Sequence, residues 1–291
     1  VNTDEVHPED FDKRLKAIEV HNLIKAIERY TVSEIVVASS AQGVGVDLYN
    51  KLLVLLERGF PIREYTQVYE EITHRVPVQH VERDFYKYFP FSRSNKNRFY
   101  LFISRLFNAI FALCVVFLSL FIFPLVFLGN LIANRGPLFY TQERVGLNGK
   151  PFKIIKLRTM IVDAEAGGAQ YASKADRRIT PFGKILRNLR IDEIPQCINI
   201  LKGEMSLIGP RPERPVFVKE LSEKIPFYEI RHAVKPGLTG WAQVRGRYAE
   251  SVDDTLEKLQ YDLFYIKHRN LFLDLNILLK TISTVVYYRG Q

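Results

Sequence analysis

The hydrophobic and polar positions divide the chain into a mixed N-terminal part, one long apolar segment and a basic C-terminal half. In residues 1–75, an amphipathic helix precedes the short apolar run at 35–37, and a second amphipathic helix spans 47–58. Residues 60–65 indicate another strand. This order of helix and strand predicts the end of a Rossmann-like α/β domain, and the polar, proline-containing stretch at 76–104 predicts a linker that approaches a membrane.

The apolar segment at 106–134 contains no charged side chain, and a membrane helix needs about 20 apolar residues. Pro124 lies inside it and predicts a kink or break, because proline removes a backbone donor and crowds the preceding turn. Lys and Arg residues flank the segment on both sides, and the positive-inside rule would keep both flanks in the cytoplasm. We therefore predict a re-entrant membrane helix at 105–134 that enters and leaves by one leaflet. A straight membrane span is the alternative.

The composition adds a basic balance, with 41 Lys and Arg against 32 Asp and Glu and a net charge of +9. Such a chain suits nucleic acid, anionic lipid or phosphorylated substrates. Because the cations cluster beside the apolar segment, we predict membrane lipids as partners and no nucleic acid. The two cysteines lack the spacing of a metal site or disulfide framework, which fits a reducing compartment. The start at Val1, without an initiator methionine or signal peptide, indicates a piece of a longer protein.

The candidate chemistry lies in residues 135–291, which we predict to form a mainly helical, α+β catalytic domain. The stretch 152–158 alternates apolar and basic residues for part of its length and predicts a strand whose basic face includes Lys156 and Arg158. That face can hold the phosphates of a lipid headgroup or a nucleotide. Simple attraction to anionic lipid, worth about 1 kcal/mol per basic residue, is the alternative.

A carboxylate pair, Asp192 and Glu193, follows a basic helix that Thr180 and Pro181 are predicted to start. One interpretation makes Asp192 a helix N-cap, worth about 1 kcal/mol, and Glu193 a partner of the helix dipole. The other makes Asp192 a nucleophile: the dipole and nearby arginines would lower its pKa, and an ionised carboxylate can attack phosphorus. Glu193 would then add a second oxygen ligand for Mg²⁺.

Two later segments can bind a phosphorylated substrate. Arg211 lies between two prolines that restrict the backbone, and a rigidly held arginine suits bidentate phosphate binding; a surface loop is the alternative. Residues 232–247 combine glycine turns with Trp241, Arg245 and Arg247, and can wrap a nucleotide. Trp241 fits the core or a membrane interface equally well. The apolar stripes at 256–288 predict helices that lie on a membrane surface.

Four long motifs in order resemble one family, the bacterial sugar transferases, which are monotopic polyprenyl-phosphate phosphoglycosyl transferases. These are RGPLFYTQERVGLNGKPFKIIKLRTM (135–160), TPFGKILRNLRIDEIPQCINILKGEMSLIGPRPE (180–213), KPGLTGWAQVRGR (235–247) and YDLFYIKHRNLFLDLNILLKTI (261–282). The resemblance covers about residues 98–288. Residues 1–75 resemble the end of the nucleotide-binding-like domain of the larger members.

The resemblance implies that a sugar phosphate passes from a UDP-sugar to undecaprenyl phosphate, with release of UMP, through a covalent phosphosugar–enzyme intermediate. It implies the cytoplasmic face of the bacterial inner membrane and the first membrane step of exopolysaccharide, capsule or O-antigen synthesis. The longer members allow a homodimer. Two alternatives stay open: a glycosyltransferase that moves sugar without phosphate and releases UDP, and a membrane-anchored scaffold or regulator without activity.

The resemblance also assigns roles to residues. Asp192 would be the nucleophile, and Glu193 would assist with Mg²⁺ and with activation of the lipid phosphate. Arg187 and Arg211 would hold phosphates. Lys156, Arg158 and Asp262 fall at charged positions of the motifs, and we count the first two as phosphate ligands and Asp262 as a nucleotide contact. Family members often have serine before the proline of the membrane helix, where this chain has Phe123.

Overall fold

The computed structural model of the protein describes residues 18–38, 45–78, 97–165, 168, 176–246 and 252–286. The chain forms two compact units, Val1–Phe85 and Tyr86–Gln291. Within the described ranges the protein is mainly helical, and its strands form three two-stranded sheets.

The first unit contains the predicted alternation of helix and strand. After a 3-10 helix at Val20–Asn22 come α1 (Leu23–Tyr30), β1 (Ile35–Val37), α2 (Val46–Glu57), β2 (Ile62–Glu64) and α3 (Tyr65–Thr73). β1 and β2 are parallel, with Ile35 opposite Ile62. Val76 and Val78, at the start of the predicted linker, are buried. A complete Rossmann-like arrangement stays a prediction.

The apolar helix α4 (Arg98–Gly129) begins earlier than the predicted boundary at residue 105. Asn97 starts it, because its side-chain oxygen accepts a hydrogen bond from the Tyr100 N–H at 3.2 Å. α4 runs through Pro124 as one helix and continues into a π-helical turn, Asn130–Asn134. The proline therefore does not end the helix, since a bend can absorb one missing hydrogen bond. Re-entry into one leaflet stays a prediction.

The whole segment Arg98–Asn134 is long and apolar enough to cross a membrane. Many of its large apolar side chains are exposed, among them Leu113, Phe117, Leu118, Leu120, Phe121 and Leu125. A helix that exposes so much apolar surface fits a lipid environment better than the core of a soluble protein.

The rest of the second unit is built from short elements. They are β3 (Phe139–Val145), β4 (Pro151–Leu157), α5 (Pro181–Asn188), α6 (Gln196–Leu201), β5 (Ser206–Ile208), α7 (Pro215–Lys224), β6 (Gly237–Thr239), α8 (Trp241–Arg245), α9 (Val252–His268) and α10 (Leu271–Val286). Three 3-10 helices lie at Leu147–Gly149, Ile191–Glu193 and Tyr228–Ala233. β3 and β4 form an antiparallel hairpin, and β5 pairs with β6 in parallel.

Two apolar clusters pack α4 against this unit. Ala112 lies in the first, with Ile154, Cys197, Ile200 and Met205. Val126 lies in the second, with Leu157 and Leu186. Both clusters include a residue of β4, so one strand belongs to the packing at both halves of α4.

Polar contacts add to this packing near the start of α4. Asn108 donates to the Ser206 hydroxyl at 3.0 Å and accepts from the Leu207 N–H at 3.0 Å. Tyr100 donates to Asp274 of α10 at 2.8 Å. The predicted C-terminal helices are present as α9 and α10, and α10 exposes the apolar side chains of Leu271, Phe272, Leu275, Leu279 and Ile282. Their contact with a membrane stays a prediction.

Candidate active site

The carboxylate pair lies in the short 3-10 helix Ile191–Glu193, directly after α5. α5 starts where the sequence predicts, because the Thr180 hydroxyl accepts a hydrogen bond from the Gly183 N–H at 2.9 Å and Pro181 occupies the first turn. Arg190 then turns the chain with a left-handed φ of 57°. Asp192 and Glu193 follow this turn and are both buried.

Asp192 is not a helix N-cap. The next helix, α6, has Pro195 at its N-cap position and no side-chain capping bond. The Asp192 Oδ1 atom is buried and has no hydrogen-bond partner among the residues that the structure describes. The capping interpretation is therefore wrong, and one carboxylate oxygen is left without a structural role.

Glu193 has the opposite surroundings, since three cations converge on one of its oxygens. Its Oε1 lies 3.1 Å from Arg211 Nη2, 3.6 Å from Lys156 Nζ and 3.8 Å from Arg190 Nη1. These cations come from the segment after β5, from β4 and from the turn before the 3-10 helix. Glu193 therefore ties together the elements that present the positive charge.

The pKa of Asp192 is raised to about 6, mainly by burial and then by the charge of Glu193, while Lys156, Arg187 and Arg190 act in the opposite direction. The sequence prediction of a lowered pKa is wrong, because loss of water outweighs the nearby arginines. At neutral pH the carboxylate is still mostly ionised. It is charged, poorly solvated and able to act as a nucleophile.

The pKa of Glu193 is lowered: burial alone would raise it, but Arg211, Lys156 and Arg190 outweigh burial. The pKa of Lys156 is lowered by burial, against the pull of the Glu193 charge. The two adjacent carboxyl groups thus differ in their affinity for a proton. Glu193 stays ionised, and Asp192 is the carboxyl group that titrates nearer neutral pH.

Arg187 and Arg211 are both placed at this site. Arg187 donates from Nε to the Thr159 hydroxyl at 2.9 Å, and its charge acts on Asp192. The Arg211 side chain contacts Glu193 and remains 41% exposed. Their role as phosphate ligands stays a prediction.

Arg158 has a different role from the one predicted. It is buried, and its guanidinium donates to the carbonyl oxygens of Pro137, Met160 and Asn134 at 2.7, 3.3 and 2.9 Å. These contacts fix the chain where it leaves the π-helical turn. Because Arg158 is buried and each of its three guanidinium nitrogens already donates to a backbone carbonyl, we do not count it as a phosphate ligand.

Two of the predicted nucleotide contacts are corrected, and the role of Arg245, which is exposed, stays a prediction. Trp241 is buried, with its ring stacked on Phe264 at 6.2 Å and the Arg245 guanidinium 4.9 Å from its ring centre. This leaves no exposed ring face for a base. Asp262 is buried and pairs with Arg231 at 2.9 Å. Arg247 lies outside the described residues.

Comparison with known proteins places the chain among its relatives. The sequence model described as bacterial sugar transferase matches residues 99–288. The chain belongs to the bacterial sugar transferase family. It is 41% identical over 228 residues to the UDP-N-acetylgalactosamine-undecaprenyl-phosphate N-acetylgalactosaminephosphotransferase of Aeromonas hydrophila, a match that covers 78% of this chain and 52% of that protein.

A second relative is the UDP-glucose:undecaprenyl-phosphate glucose-1-phosphate transferase of Caulobacter vibrioides, 40% identical over 168 residues, which are 56% of this chain and 63% of that protein. The chain therefore spans about half to two thirds of the length of these two relatives. The matched family region, residues 99–288, includes the whole carboxylate and cation site described above.

This member of the family also places residues at the site that the sequence analysis missed. Arg190 contacts Glu193, and Gln196, four residues after Asp192, has a buried side-chain nitrogen without a hydrogen-bond partner among the described residues. Arg144 of β3 lies opposite Phe152 of β4. Phe152 and Lys156 are four residues apart on the same strand, so Arg144 and Lys156 are on the same face of the hairpin. Arg190 and Gln196 could have been predicted from their closeness to Asp192 in the sequence. Arg144 could not, because its position depends on how β3 and β4 pair.

The donor set at this site fits a magnesium ion that also binds substrate. No cluster of three or more His, Cys, Asp or Glu side chains occurs in the described part of the chain. Mg²⁺ usually binds proteins through one or two carboxylates and completes its octahedron with substrate phosphates and water. Asp192 and Glu193 supply that number of carboxylates, and the Asp192 Oδ1 atom has no partner of its own in the described structure.

Proposed function

We propose that this protein transfers a sugar 1-phosphate from a UDP-sugar to undecaprenyl phosphate, giving undecaprenyl-diphosphate-sugar and UMP. The observation that carries the proposal is the buried oxygen of Asp192, which has no hydrogen-bond partner in the described part of the chain and lies beside a group of cations. Membership of the family and the activities for which the two relatives are named support it.

The arrangement suits a reaction between two anionic substrates. Lys156, Arg187, Arg190 and Arg211 all act on the carboxylate pair, so a diphosphate that enters this site meets several positive charges. Arginine can bind phosphate oxygens in a bidentate manner, and buried charges act more strongly than charges in water. These cations would lower the repulsion between Asp192 and the diphosphate.

In the first step, an ionised oxygen of Asp192 attacks the phosphorus that carries the sugar. The bond from that phosphorus to the bridging oxygen breaks, and UMP leaves with the electron pair. The result is a sugar-phosphoryl ester of Asp192, a mixed anhydride. In the second step an oxygen of undecaprenyl phosphate attacks the same phosphorus, and Asp192 leaves as a carboxylate. Covalent catalysis of this kind divides one transfer into two displacements.

Glu193 is suited to holding charge and poorly suited to accepting a proton. Its pKa is lowered because three cations surround it, so at neutral pH it remains an anion. We assign it the tasks of fixing Arg211, Lys156 and Arg190 and of sharing a Mg²⁺ ion with Asp192. Bound Mg²⁺ would neutralise phosphate charge. Activation of the lipid phosphate by proton removal is less consistent with such a low pKa.

A lipid substrate requires the site to lie beside a membrane. The exposed apolar side chains of α4 supply a membrane anchor, and β4, which carries Lys156, has residues in both apolar clusters of that helix. We propose that α4 enters and leaves the cytoplasmic leaflet, so that Asp192 faces the lipid phosphate and the soluble UDP-sugar reaches it from the cytoplasm.

The decisive experiment measures the nucleotide that is released. The chain in lipid nanodiscs would be incubated with Mg²⁺, undecaprenyl phosphate and a panel of UDP-sugars that includes UDP-N-acetylgalactosamine and UDP-glucose, the donors named for the relatives. UMP as the nucleotide product supports the proposal. UDP would indicate a glycosyltransferase that leaves the phosphate behind, and no release with any donor would favour a non-catalytic role.

Asp192→Asn tests the covalent step in the same assay. We expect a loss of UMP release of at least 1,000-fold, on the scale of removing other catalytic nucleophiles. A radiolabelled sugar phosphate should remain attached to the unchanged protein when lipid acceptor is omitted, and should be absent from the variant. Asp253→Asn is the matched control, because Asp253 is an exposed aspartate of α9 and has no place in the proposed mechanism.

A further inference from the structure

The segment that carries Arg211 has four consecutive carbonyl oxygens, and each accepts a hydrogen bond from elsewhere in the unit. The Pro210 and Glu213 carbonyls accept from the Gly237 N–H and the Val145 N–H, each at 2.9 Å. The two carbonyls between them, those of Arg211 and Pro212, accept from arginine side chains. Two arginines therefore hold the middle of the segment from which the Arg211 guanidinium reaches Glu193.

The arginine bound to the Arg211 carbonyl is Arg231, in the 3-10 helix Tyr228–Ala233. Its Nη2 donates to the Arg211 carbonyl at 3.0 Å and to Asp262 at 2.9 Å, and its Nη1 donates to the Tyr228 hydroxyl at 2.8 Å. Arg231 is only 7% exposed and Asp262 only 3%. Because Arg231 is buried, its charge cannot contact a substrate directly. Its hydrogen bond instead holds the backbone of Arg211, whose side chain is partly exposed.

We propose that Arg231 is a positioning residue, which acts on substrate phosphates through Arg211. Asp262 of α9 and Tyr228 orient the Arg231 guanidinium, and the guanidinium fixes the Arg211 carbonyl and hence the direction in which the Arg211 side chain leaves the backbone. This gives the motif aspartate, Asp262, a function at a distance from the substrate. The proposal rests on the proposed function only in taking Arg211 as a phosphate ligand.

The best variant keeps the buried positive charge and removes the clamp, by which we mean the hydrogen bonds from Arg231 to Asp262, Tyr228 and the Arg211 carbonyl. Arg231→Lys retains a cation beside Asp262, but one ammonium group on a shorter reach cannot bond to Asp262, Tyr228 and the Arg211 carbonyl with the geometry of a planar guanidinium. Arg231→Gln would leave Asp262 unpaired in the interior and risks unfolding. Tyr228→Phe is a milder second variant, because it removes one orienting hydrogen bond and no charge.

Amide hydrogen exchange of the full chain in nanodiscs, without substrate, tests the clamp directly. The Gly237 N–H and the Val145 N–H donate to the segment, so their exchange reports its mobility. In Arg231→Lys we expect faster exchange, by about tenfold, in peptides that contain Gly237 or the 208–214 segment, and a smaller change in Tyr228→Phe. Peptides of β4 around Ile155 serve as the internal reference. Unchanged exchange at Gly237 in a folded Arg231→Lys protein would overturn the proposal.

Kinetics of UMP release give the second test, through a double-mutant cycle of Arg231→Lys with Arg211→Ala. We expect Arg231→Lys alone to raise the KM for the UDP-sugar about tenfold with a smaller change in kcat, and to have no further effect once Arg211 is Ala. Additive effects in the double variant would refute action through Arg211. If the unchanged protein releases no UMP, the proposed function fails, but the exchange experiment still decides whether Arg231 fixes the segment.

Discussion

At the scale of single residues, the two adjacent carboxyl groups have been separated by their surroundings. Glu193 is surrounded by three cations and keeps its charge, whereas Asp192 is buried with one oxygen unpartnered in the described structure. A buried charge without a full set of hydrogen bonds costs stability. Such a cost at a functional group is expected where the group must react.

Removal of the Asp192 charge should therefore stabilise the protein. The folded state raises the pKa of Asp192 to about 6 and so binds its proton more tightly than the unfolded chain does. Asp192→Asn should increase the free energy of unfolding at pH 7.5 by about 1–2 kcal/mol, from a shift of this size discounted for its coupling to Glu193. Thermal denaturation in detergent would measure it.

The same reasoning gives the pH dependence of this gain. As pH falls through about 6, the unchanged protein already protonates Asp192, so the advantage of Asp192→Asn should shrink by pH 5. A gain that stays constant between pH 7.5 and 5 would contradict the raised pKa. Asp253→Asn, at an exposed position of α9, is a suitable control and should change stability little.

Activity should follow the charge of Asp192 in the opposite sense. A protonated carboxyl group is a poor nucleophile, so the first-turnover burst of UMP should fall about tenfold per pH unit on the acid side of the Asp192 pKa, which bound Mg²⁺ would lower from the metal-free value of about 6. The burst is measured without lipid acceptor, so that titration of the acceptor phosphate does not contribute. In Glu193→Gln the repelling charge is removed and the cations are released, so the acidic limb of any residual burst should move to lower pH. A limb at the same pH in both proteins would argue against this assignment.

Part of the site follows from the sequence and part does not. The motif and its order predict Asp192, Glu193, Arg187 and Arg211 at one place, and local pattern predicts the Thr180 cap. The hydrogen bonds of Arg158 to the backbone could not be predicted, because they depend on carbonyl groups that the fold brings together around the π-helical turn. The sign of the Asp192 pKa shift was also out of reach, since burial is a property of the folded unit.

At the scale of elements, side-chain amides connect helices to strands. The Asn199 side chain of α6 accepts from the Ile155 N–H and donates to the Lys153 carbonyl of β4, which fixes the hairpin beside the 3-10 helix of the carboxylates. Asn108 of α4 connects to Ser206 and Leu207 in the same way. Hydrophobic periodicity predicts the helices and strands themselves, but it carries no signal for contacts between residues so far apart in the chain.

Asn108→Ala should loosen α4 from β5. The variant leaves the Leu207 N–H and the Ser206 hydroxyl without their partner, and an unsatisfied buried donor costs about 1–3 kcal/mol. We expect a lower midpoint of thermal unfolding in detergent and faster hydrogen exchange at Leu207. Leu113→Ala, at a 58% exposed position of the same helix, is the control and should leave both unchanged. Equal effects of the two variants would show that the Asn108 contacts contribute nothing specific.

Gly183→Ala should disturb the contact between α5 and the chain around Thr159. A Cβ atom at Gly183 would lie 2.0 Å from the Thr159 carbonyl oxygen, so α5 would have to move. Because Arg187 of α5 also bonds to the Thr159 hydroxyl, the movement should displace it from Asp192. We expect a loss of stability of about 2 kcal/mol or more and at least tenfold slower UMP release. Lys184→Ala, exposed on the same helix, should change neither by a comparable amount.

At the scale of the whole molecule, the question is how a helix of 32 residues relates to a membrane. At 1.5 Å per residue α4 is about 48 Å long, more than the roughly 30 Å hydrocarbon core of a bilayer. Yet Ala112 and Val126, in opposite halves of α4, belong to clusters that contain Ile154 and Leu157 of the same strand. A straight crossing would bring β4, with its lysines, toward the hydrocarbon, and a lysine there costs about 3 kcal/mol or more.

The topology of α4 can be tested by labelling single cysteines at its two ends. Arg98 and Arg135 are exposed and flank the helical segment, so each is replaced by cysteine in a background that carries Cys114→Ser. Cys197 can remain, because burial raises the pKa of its thiol to about 11 and leaves it poorly reactive. The background protein alone is the control and should take up no label.

Each variant is prepared in two kinds of sealed membrane vesicle, with either the cytoplasmic face or the opposite face outside. The vesicles are treated with a membrane-impermeant maleimide, and lysis in detergent gives the total amount of reactive thiol. If α4 enters and leaves by one leaflet, both cysteines react only when the cytoplasmic face is outside. This result is expected because both halves of α4 pack in clusters with the same folded unit. A folded unit with a charged surface stays on one side of a bilayer, so both ends of the helix should stay there too. Reaction of the two positions from opposite faces would establish a span. In that case only one end of α4 would lie on the side of the membrane that carries Asp192, and undecaprenyl phosphate would have to reach Asp192 beside that end.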